Sequence, residues 1–172
     1  LELSPLRLPL APRTYGDFPH FLNDLPGLIN DALPDGWGLL MMDRLFRQQG
    51  MTDVGPLDRL AFIGDRGMGA LRFEPVAQTA QDLPDWSLYT LARQSQQLIT
   101  DTPGVALRQL VLTGGSPQGA RPKALVQYDV QHQQVSTLPD ASGEPWLVKF
   151  PSQGEPAEVC ALEELYARLA RA

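Results

Sequence analysis

Apolar residues recur at helical spacing along much of the first half of the chain. The segment 25–33 shows this spacing and predicts a helix, with Asp24 as its N-cap and Pro34 ending it. A second helix is predicted to begin near Asp35 and to end at Gly50. The same pattern predicts helices further along, over 55–64, 85–99, 105–112 and 156–172.

The remaining apolar segments are short and predict strands. Residues 67–76 have a glycine-rich start and then extended character, and 124–130 alternate apolar and polar residues. Residues 131–135 fit either a hairpin connection or a second strand, and 145–151 form a short apolar strand closed by proline. Residues 1–12 are expected to be extended. Helices followed by a few strands predict an α+β fold, with a boundary near residue 100.

The last predicted helix is amphipathic. One face of it carries an apolar stripe made of Val159, Leu162, Leu165, Tyr166 and Leu169.

Composition narrows the classes of function. The 172 residues include 14 Lys plus Arg against 20 Asp plus Glu, a net charge of −6, which argues against a broad nucleic-acid or anionic-membrane surface. The single cysteine, Cys160, excludes an intrachain disulfide and favours an intracellular protein. A buried position is expected for it, with a reactive thiol as the alternative. No apolar run is long enough to span a membrane. The two histidines, His20 and His132, lie among polar residues and are expected at the surface.

Only two of the fourteen basic residues are lysines, Lys123 and Lys149, and their positions indicate a candidate functional region. Lys123 follows the glycine-rich segment "GGSPQGARPK" (114–123) and begins the strand predicted next to it. Glycines let backbone N–H groups approach phosphate oxygens, and a glycine-rich loop that runs into a strand is typical of kinase nucleotide loops. The Gly-Lys-Ser/Thr of a Walker A motif is absent. A plain turn is the alternative for this loop.

The second lysine, Lys149, lies inside the apolar strand "WLVKF" (146–150). A lysine in a buried-looking strand is unusual, and a kinase explains it as a phosphate ligand held by a glutamate of the next helix. That helix offers Glu158, Glu163 and Glu164. The alternative is an edge strand from which the lysine reaches water.

Five collinear segments carry a family resemblance. They read "LSPLRLPL", "FLNDLPGLINDALPDGWGLLMMDR", "LDRLAFIGDRGMGALRFEP", "GGSPQGARPKALV" and "WLVKFPS". Together they resemble the HipA family of toxin–antitoxin serine/threonine kinases over almost the whole chain.

The resemblance implies an organisation and an activity. Residues 1–100 are expected to form the N-terminal subdomain and 101–172 the start of a kinase-like N-lobe, with its glycine-rich loop, antiparallel strands and helix. The full-length protein is expected to be a cytoplasmic enzyme that uses ATP and Mg²⁺ to phosphorylate a protein, typically an aminoacyl-tRNA synthetase. A helix-turn-helix antitoxin is the expected partner, and DNA is contacted only through it.

The resemblance also assigns residues. Ser116 matches the family's autophosphorylated serine, and Glu163 best matches the helix glutamate that pairs with the strand lysine. The residues expected to bind ATP phosphates are Gln118, Gly119, Ala120, Arg121, Pro122, Lys123 and Lys149.

The family's catalytic aspartate and metal-binding aspartate have no match in these residues. We therefore expect a fragment that lacks the catalytic loop, contains no catalytic or metal-ligating residue, binds ATP weakly and transfers no phosphate. The alternative function is a non-catalytic module that sequesters a protein such as the antitoxin.

Overall fold

The structure is a computed structural model that describes residues 8–77, 84–99, 105–114, 117–152, 154–156 and 158–172. It confirms the α+β class, because helices surround one small antiparallel sheet. After a 3₁₀ turn at His20–Leu22, the helices and strands in chain order are α1 (Gly27–Asn30), α2 (Gly36–Gln48), α3 (Pro56–Ile63), α4 (Leu88–Ile99), α5 (Val105–Gly114), β1 (Lys123–Asp129), β2 (Gln134–Ser136), β3 (Glu144–Lys149) and α6 (Val159–Leu169).

The first predicted helix is wrong in length and in its cap. Only α1 forms within 25–33, and its N-cap is Pro26. Asp24 instead has a left-handed backbone with φ 57°, next to Asn23 with φ 54°. Two consecutive left-handed residues turn the chain sharply, so the helix cannot begin there.

The second predicted helix is confirmed as α2. Asp35 occupies its N-cap position, and Gly50 follows its end with φ 79°, a conformation that glycine adopts without strain. The helix buries one face, made of Trp37, Gly38, Met41, Met42, Leu45 and Phe46.

The strand predicted over 67–76 is wrong. This segment follows α3 as an irregular chain, in which Gly69 has φ 116°. It contacts the end of α3 instead, where the Phe73 N–H donates to Gly64 O at 3.0 Å. The segment pairs with none of the three strands of the sheet.

One hydrophobic core joins elements from both halves of the chain. The rings of Phe46 and Phe62 meet edge to face at 5.4 Å inside it. The division at residue 100 stays a prediction. The core residues are Trp37, Met41, Met42, Leu45, Phe46, Phe62, Ile63, Leu91, Leu107, Leu110, Val111, Ala124, Val126 and Phe150.

The sheet has the strand order β2-β1-β3, with both pairs antiparallel. Residues 131–133 therefore form the hairpin connection, and β2 is the second strand. Of the two alternatives for Lys149, the structure shows the edge strand, because β3 lies at the edge of the sheet and the Lys149 side chain is 42% exposed. An edge strand faces water along one side, which explains how the lysine stays solvated.

A polar cluster joins the residues ahead of α4 and the middle of α5 to the end of β2. The Asp85 carboxylate accepts hydrogen bonds from Thr137 N–H at 2.7 Å and from the Ser136 hydroxyl at 2.8 Å. Buried Gln109 donates to Pro84 O at 3.2 Å.

The final helix, α6, lies at the surface, and none of its described residues is buried. Its predicted apolar stripe is therefore open to solvent; Tyr166 is 71% exposed. The expectation that Cys160 is buried is wrong for the same reason, since the thiol lies on this exposed helix. Both histidines are exposed, as predicted.

Candidate functional site

A cleft of about 370 Å³ lies where the glycine-rich loop, the end of β3 and α6 meet. Most of the residues assigned to phosphate binding line it. The lining consists of Gln118, Gly119, Ala120, Arg121, Lys123, Lys149, Ser152, Glu155 and Glu163.

Lys123 is the buried cation of the cleft, with 2% of its surface exposed. Its ammonium group donates to Gln118 O at 2.6 Å and to Gly119 O at 2.7 Å. Burial lowers the pKa of Lys123; the Asp35 carboxylate opposes that shift, and the positive charges of Lys149 and Arg121 add to it. Lys123 therefore holds the loop through its carbonyl groups, while remaining part of the cleft wall.

Lys149 is the exposed cation. The antiparallel register places it directly opposite Lys123, so both side chains lie on the same face of the sheet. Its ammonium group forms an ion pair with Glu163 of α6. The hydrogen bond from Lys149 is the main cause that lowers the pKa of Glu163, with the nearby positive charges helping.

Arg121 connects the loop to two carboxylates. It forms ion pairs with Glu163 and, at 3.1 Å, with Glu155. Glu155 also accepts the Ser152 N–H at 2.7 Å, and that backbone hydrogen bond is the main cause that lowers its pKa. Sequence reasoning missed Glu155 and Ser152, because a single acid in a connecting loop carries no recognisable signal.

The charges in the cleft favour a small anion. Among the residues that line the cleft, three cationic groups, on Arg121, Lys123 and Lys149, face two carboxylates; a third carboxylate, that of Asp35, contacts the loop at Gly119 without lining the cleft. An anion can compete for the partly exposed lysine and arginine, whose present partners are also solvated. The arrangement is therefore suited to binding an anionic group.

The other residues assigned from the resemblance lie nearby or outside the described part of the chain. Pro122 is buried behind the loop, and its carbonyl accepts the Phe150 N–H at 2.8 Å. Ser116 lies outside the described residues.

The residues present fit the phosphate part of ATP better than its metal. Gly119 has φ 106°, and a Cβ there would come within 2.9 Å of the Lys123 Nζ, so the loop requires glycine at this point. Within the described ranges, no group of three or more His, Cys, Asp or Glu side chains is placed to hold a metal ion. We assign no Mg²⁺ ligand.

A search of the described helices finds none that is long and apolar enough to cross a membrane.

Comparison with known proteins identifies one family. Residues 1–74 match the family model described as the HipA N-terminal domain, which ends before the glycine-rich loop. No curated protein and no solved structure matches the chain significantly. The match covers fewer than half of the 172 residues, and it confirms the resemblance to the HipA family for the N-terminal part of the chain.

Proposed function

We propose that this chain is the nucleotide-binding part of a HipA-like serine/threonine protein kinase. The observation that carries the proposal is the Lys149–Glu163 ion pair beside a glycine-rich loop, in one cleft that is also lined by Lys123 and Arg121. Kinases use this combination to hold nucleotide phosphates: a loop that covers them, a strand lysine that contacts them and a helix glutamate that holds the lysine.

Each side chain then has a distinct role. Lys149 supplies charge toward the phosphates, and Glu163 orients it. Arg121 links the loop to α6 through Glu163 and adds a second exposed cation. Bound ATP with Mg²⁺ supplies the phosphoryl group to be transferred, and the residues of this chain bind and orient its phosphates.

The resemblance extends the proposal to the full-length protein. Its substrate is proposed to be a protein of the translation machinery, such as an aminoacyl-tRNA synthetase, and its partner a helix-turn-helix antitoxin. Phosphorylation of Ser116, a residue of the glycine-rich segment 114–123, would add about −1.5 to −2 charge and repel ATP phosphates. Without a match to the catalytic aspartate, we expect this chain to bind ATP without transferring phosphate.

Titration of the chain with Mg²⁺-ATP by calorimetry tests the proposal. Lys149→Ala should weaken binding about tenfold, because a charged hydrogen bond to phosphate contributes roughly 1.5–3 kcal/mol. The matched control is Arg168→Ala on α6, which removes an ion pair with Glu164 at 2.7 Å outside the cleft and should leave affinity unchanged. Equal affinities for wild type and Lys149→Ala would overturn this assignment.

A non-catalytic protein-binding module is the second candidate function. The exposed apolar side chains of α6 favour it, since Leu162, Leu165 and Leu169 are about half exposed or more (49%, 50% and 61%). The outcome that would favour it is tight binding of the antitoxin by a chain that shows no heat of binding with Mg²⁺-ATP.

A further inference from the structure

The glycine-rich loop is held by the start of α2 as well as by Lys123. The Asp35 carboxylate accepts the N–H of Gly119, and the Trp37 N–H donates to Gly119 O at 3.2 Å. The amide of Gln118 donates to Asp31, at 3.1 Å to the backbone oxygen and 3.2 Å to the carboxylate. The loop therefore has partners on two sides.

The contact is close as well as polar. Gly36, the first residue of α2, has φ 41°, and a Cβ built on it would lie 2.9 Å from backbone atoms of Gly119 and Ala120. A side chain at position 36 would push the loop away, so glycine is required for this approach.

The orientation of one peptide group determines what the loop presents to the cleft. In a trans peptide the C=O and N–H point in opposite directions. The oxygen of the Gln118–Gly119 peptide accepts from Lys123 in the cleft wall, so its N–H points away from Lys123, where Asp35 accepts it. In this orientation an anion beside Lys123 would meet the peptide oxygen, and the peptide N–H is already bound to Asp35.

We propose that Asp35 is a positioning residue that competes with bound phosphate for the glycine-rich loop. This inference rests on the proposed function, because the competing ligand is the phosphate chain of a nucleotide. Binding would turn the Gln118–Gly119 peptide over, so that its N–H faces the phosphate and the Lys123 ammonium group is released from Gln118 O. Gly119 tolerates such a change in backbone angle, since it carries no Cβ.

Charge determines the direction of the effect. The Asp35 carboxylate is an ionised acceptor, and a hydrogen bond to an ionised acceptor is roughly twice as strong as a neutral one. Replacing it with a neutral group weakens the present orientation and also removes a negative charge that repels phosphate. A mutation in the N-terminal part of the chain should therefore tighten anion binding at the loop.

Asp35→Asn tests the inference in the full 172-residue chain. We expect Mg²⁺-ATP and inorganic tripolyphosphate to bind about 3- to 10-fold more tightly, the change given by loss of a charge-assisted hydrogen bond. Asp58→Asn is the matched control, because the Asp58 carboxylate also accepts a backbone N–H at a helix start, that of Gly55 at 2.8 Å, away from the cleft. Its affinities should equal those of the wild type.

Hydrogen exchange of the Gly119 amide gives a readout that needs no ligand. It should be faster in Asp35→Asn than in the wild type and unchanged in Asp58→Asn. Asp35→Ala, which removes the acceptor altogether, should change both measurements in the same direction as Asp35→Asn and more strongly. If Asp35 had a purely structural role, replacing it would loosen the loop and weaken anion binding. If Asp35 competes with phosphate, replacing it tightens anion binding.

The outcomes separate this inference from the proposed function. Tighter binding of tripolyphosphate by Asp35→Asn, with no ATP binding by either chain, would support the competition and overturn the nucleotide site. Equal or weaker binding by Asp35→Asn, in a chain that binds ATP, would overturn the competition and leave the nucleotide site standing. If no variant binds either ligand, both are overturned.

Discussion

Helices α2 and α6 are both amphipathic, yet they are stabilised in different ways. Helix α2 buries its apolar face, where Met41 and Met42 have at most 1% of their surface exposed. Helix α6 leaves its stripe in water and is held to the cleft through Glu163, which pairs with Lys149 and Arg121.

The difference shows that an amphipathic pattern does not determine whether a face is buried. Burial of a large apolar side chain contributes roughly 1.5–3 kcal/mol, whereas an exposed ion pair contributes about 0–1 kcal/mol. Helix α2 should therefore determine the stability of the chain, and α6 should contribute mainly to the charge arrangement of the cleft.

The largest expected effect comes from removing one large apolar side chain from each of the two helices, α2 and α6. Phe46→Ala in α2 should lower the free energy of unfolding by about 3–5 kcal/mol, because it leaves a cavity against Phe62 in the core. Leu165→Ala on α6 should change it by about 0.5 kcal/mol or less, because that side chain is half exposed. Urea denaturation measures both. A similar loss in the two variants would mean that α6 is packed in solution.

A second prediction concerns the approach of α2 to the loop. Gly36→Ala should lower the free energy of unfolding by about 2–3 kcal/mol. Alanine is strained at the positive φ of this position, and its Cβ overlaps the loop backbone. Gly50→Ala is the control, with φ 79° and no atom within 4 Å of the added Cβ, and should cost about 1–2 kcal/mol. Thermal unfolding of the two variants gives the difference. Equal costs would show that the loop does not pack against α2.

A third prediction is a pH dependence at the polar cluster of Asp85. Burial raises the pKa of Asp85, but hydrogen bonds from Thr137, Ser136 and Trp86 outweigh it, so the net shift is downward. A carboxyl group with a lowered folded-state pKa stabilises the protein above its ordinary pKa of 3.8, and that contribution is lost as the pH falls through the folded-state value.

Asp85→Asn should therefore lower stability at pH 7 by about 1 kcal/mol, a value reduced for the solvent exposure of the carboxylate. The difference from wild type should shrink at pH 3 and below. Urea midpoints at the two pH values check this prediction. A difference that stays constant with pH would show that the carboxylate forms these hydrogen bonds weakly or not at all in solution.

The smallest expected effect concerns the reactivity of the Cys160 thiol, which should be the same in the native and the unfolded chain. Cys160 is exposed on α6, so a thiol reagent should modify the native chain at the rate of the unfolded chain. The rate in buffer and in urea should agree within about twofold. Much slower labelling of the native chain would place Cys160 in a covered position and contradict the exposed α6.

The sequence predicted the helices and strands well where the pattern was long and its ends were marked. Asp35 and Gly50 bracket α2, and Pro151 follows the end of β3. It failed over 67–76, where an apolar segment pairs with none of the three strands of the sheet. Strand formation requires a partner, and the identity of that partner is not encoded within the segment.

The candidate site shows the same limit. The residues of the cleft, including Lys123, Lys149 and Glu163, were assigned from motifs and a family resemblance, and the structure brings them together. Their environments were not predictable: the sequence left open whether Lys149 lies in a buried or an edge strand, and it did not indicate that Lys123 is the buried lysine. The register of β1 with β3 and the edge position of β3 decide this.

The sequence by itself determined most of the helices and strands, with 25–33 and 67–76 as the exceptions, and which residues carry the charge for an anion site. Periodicity, caps and glycine positions act within a few residues, so they can be recognised locally. Only the tertiary structure decided that α6 stays exposed and that Asp35 reaches Gly119, 84 positions along the chain. Both depend on contacts between distant segments, whose geometry is set by packing of the shared core rather than by any local pattern.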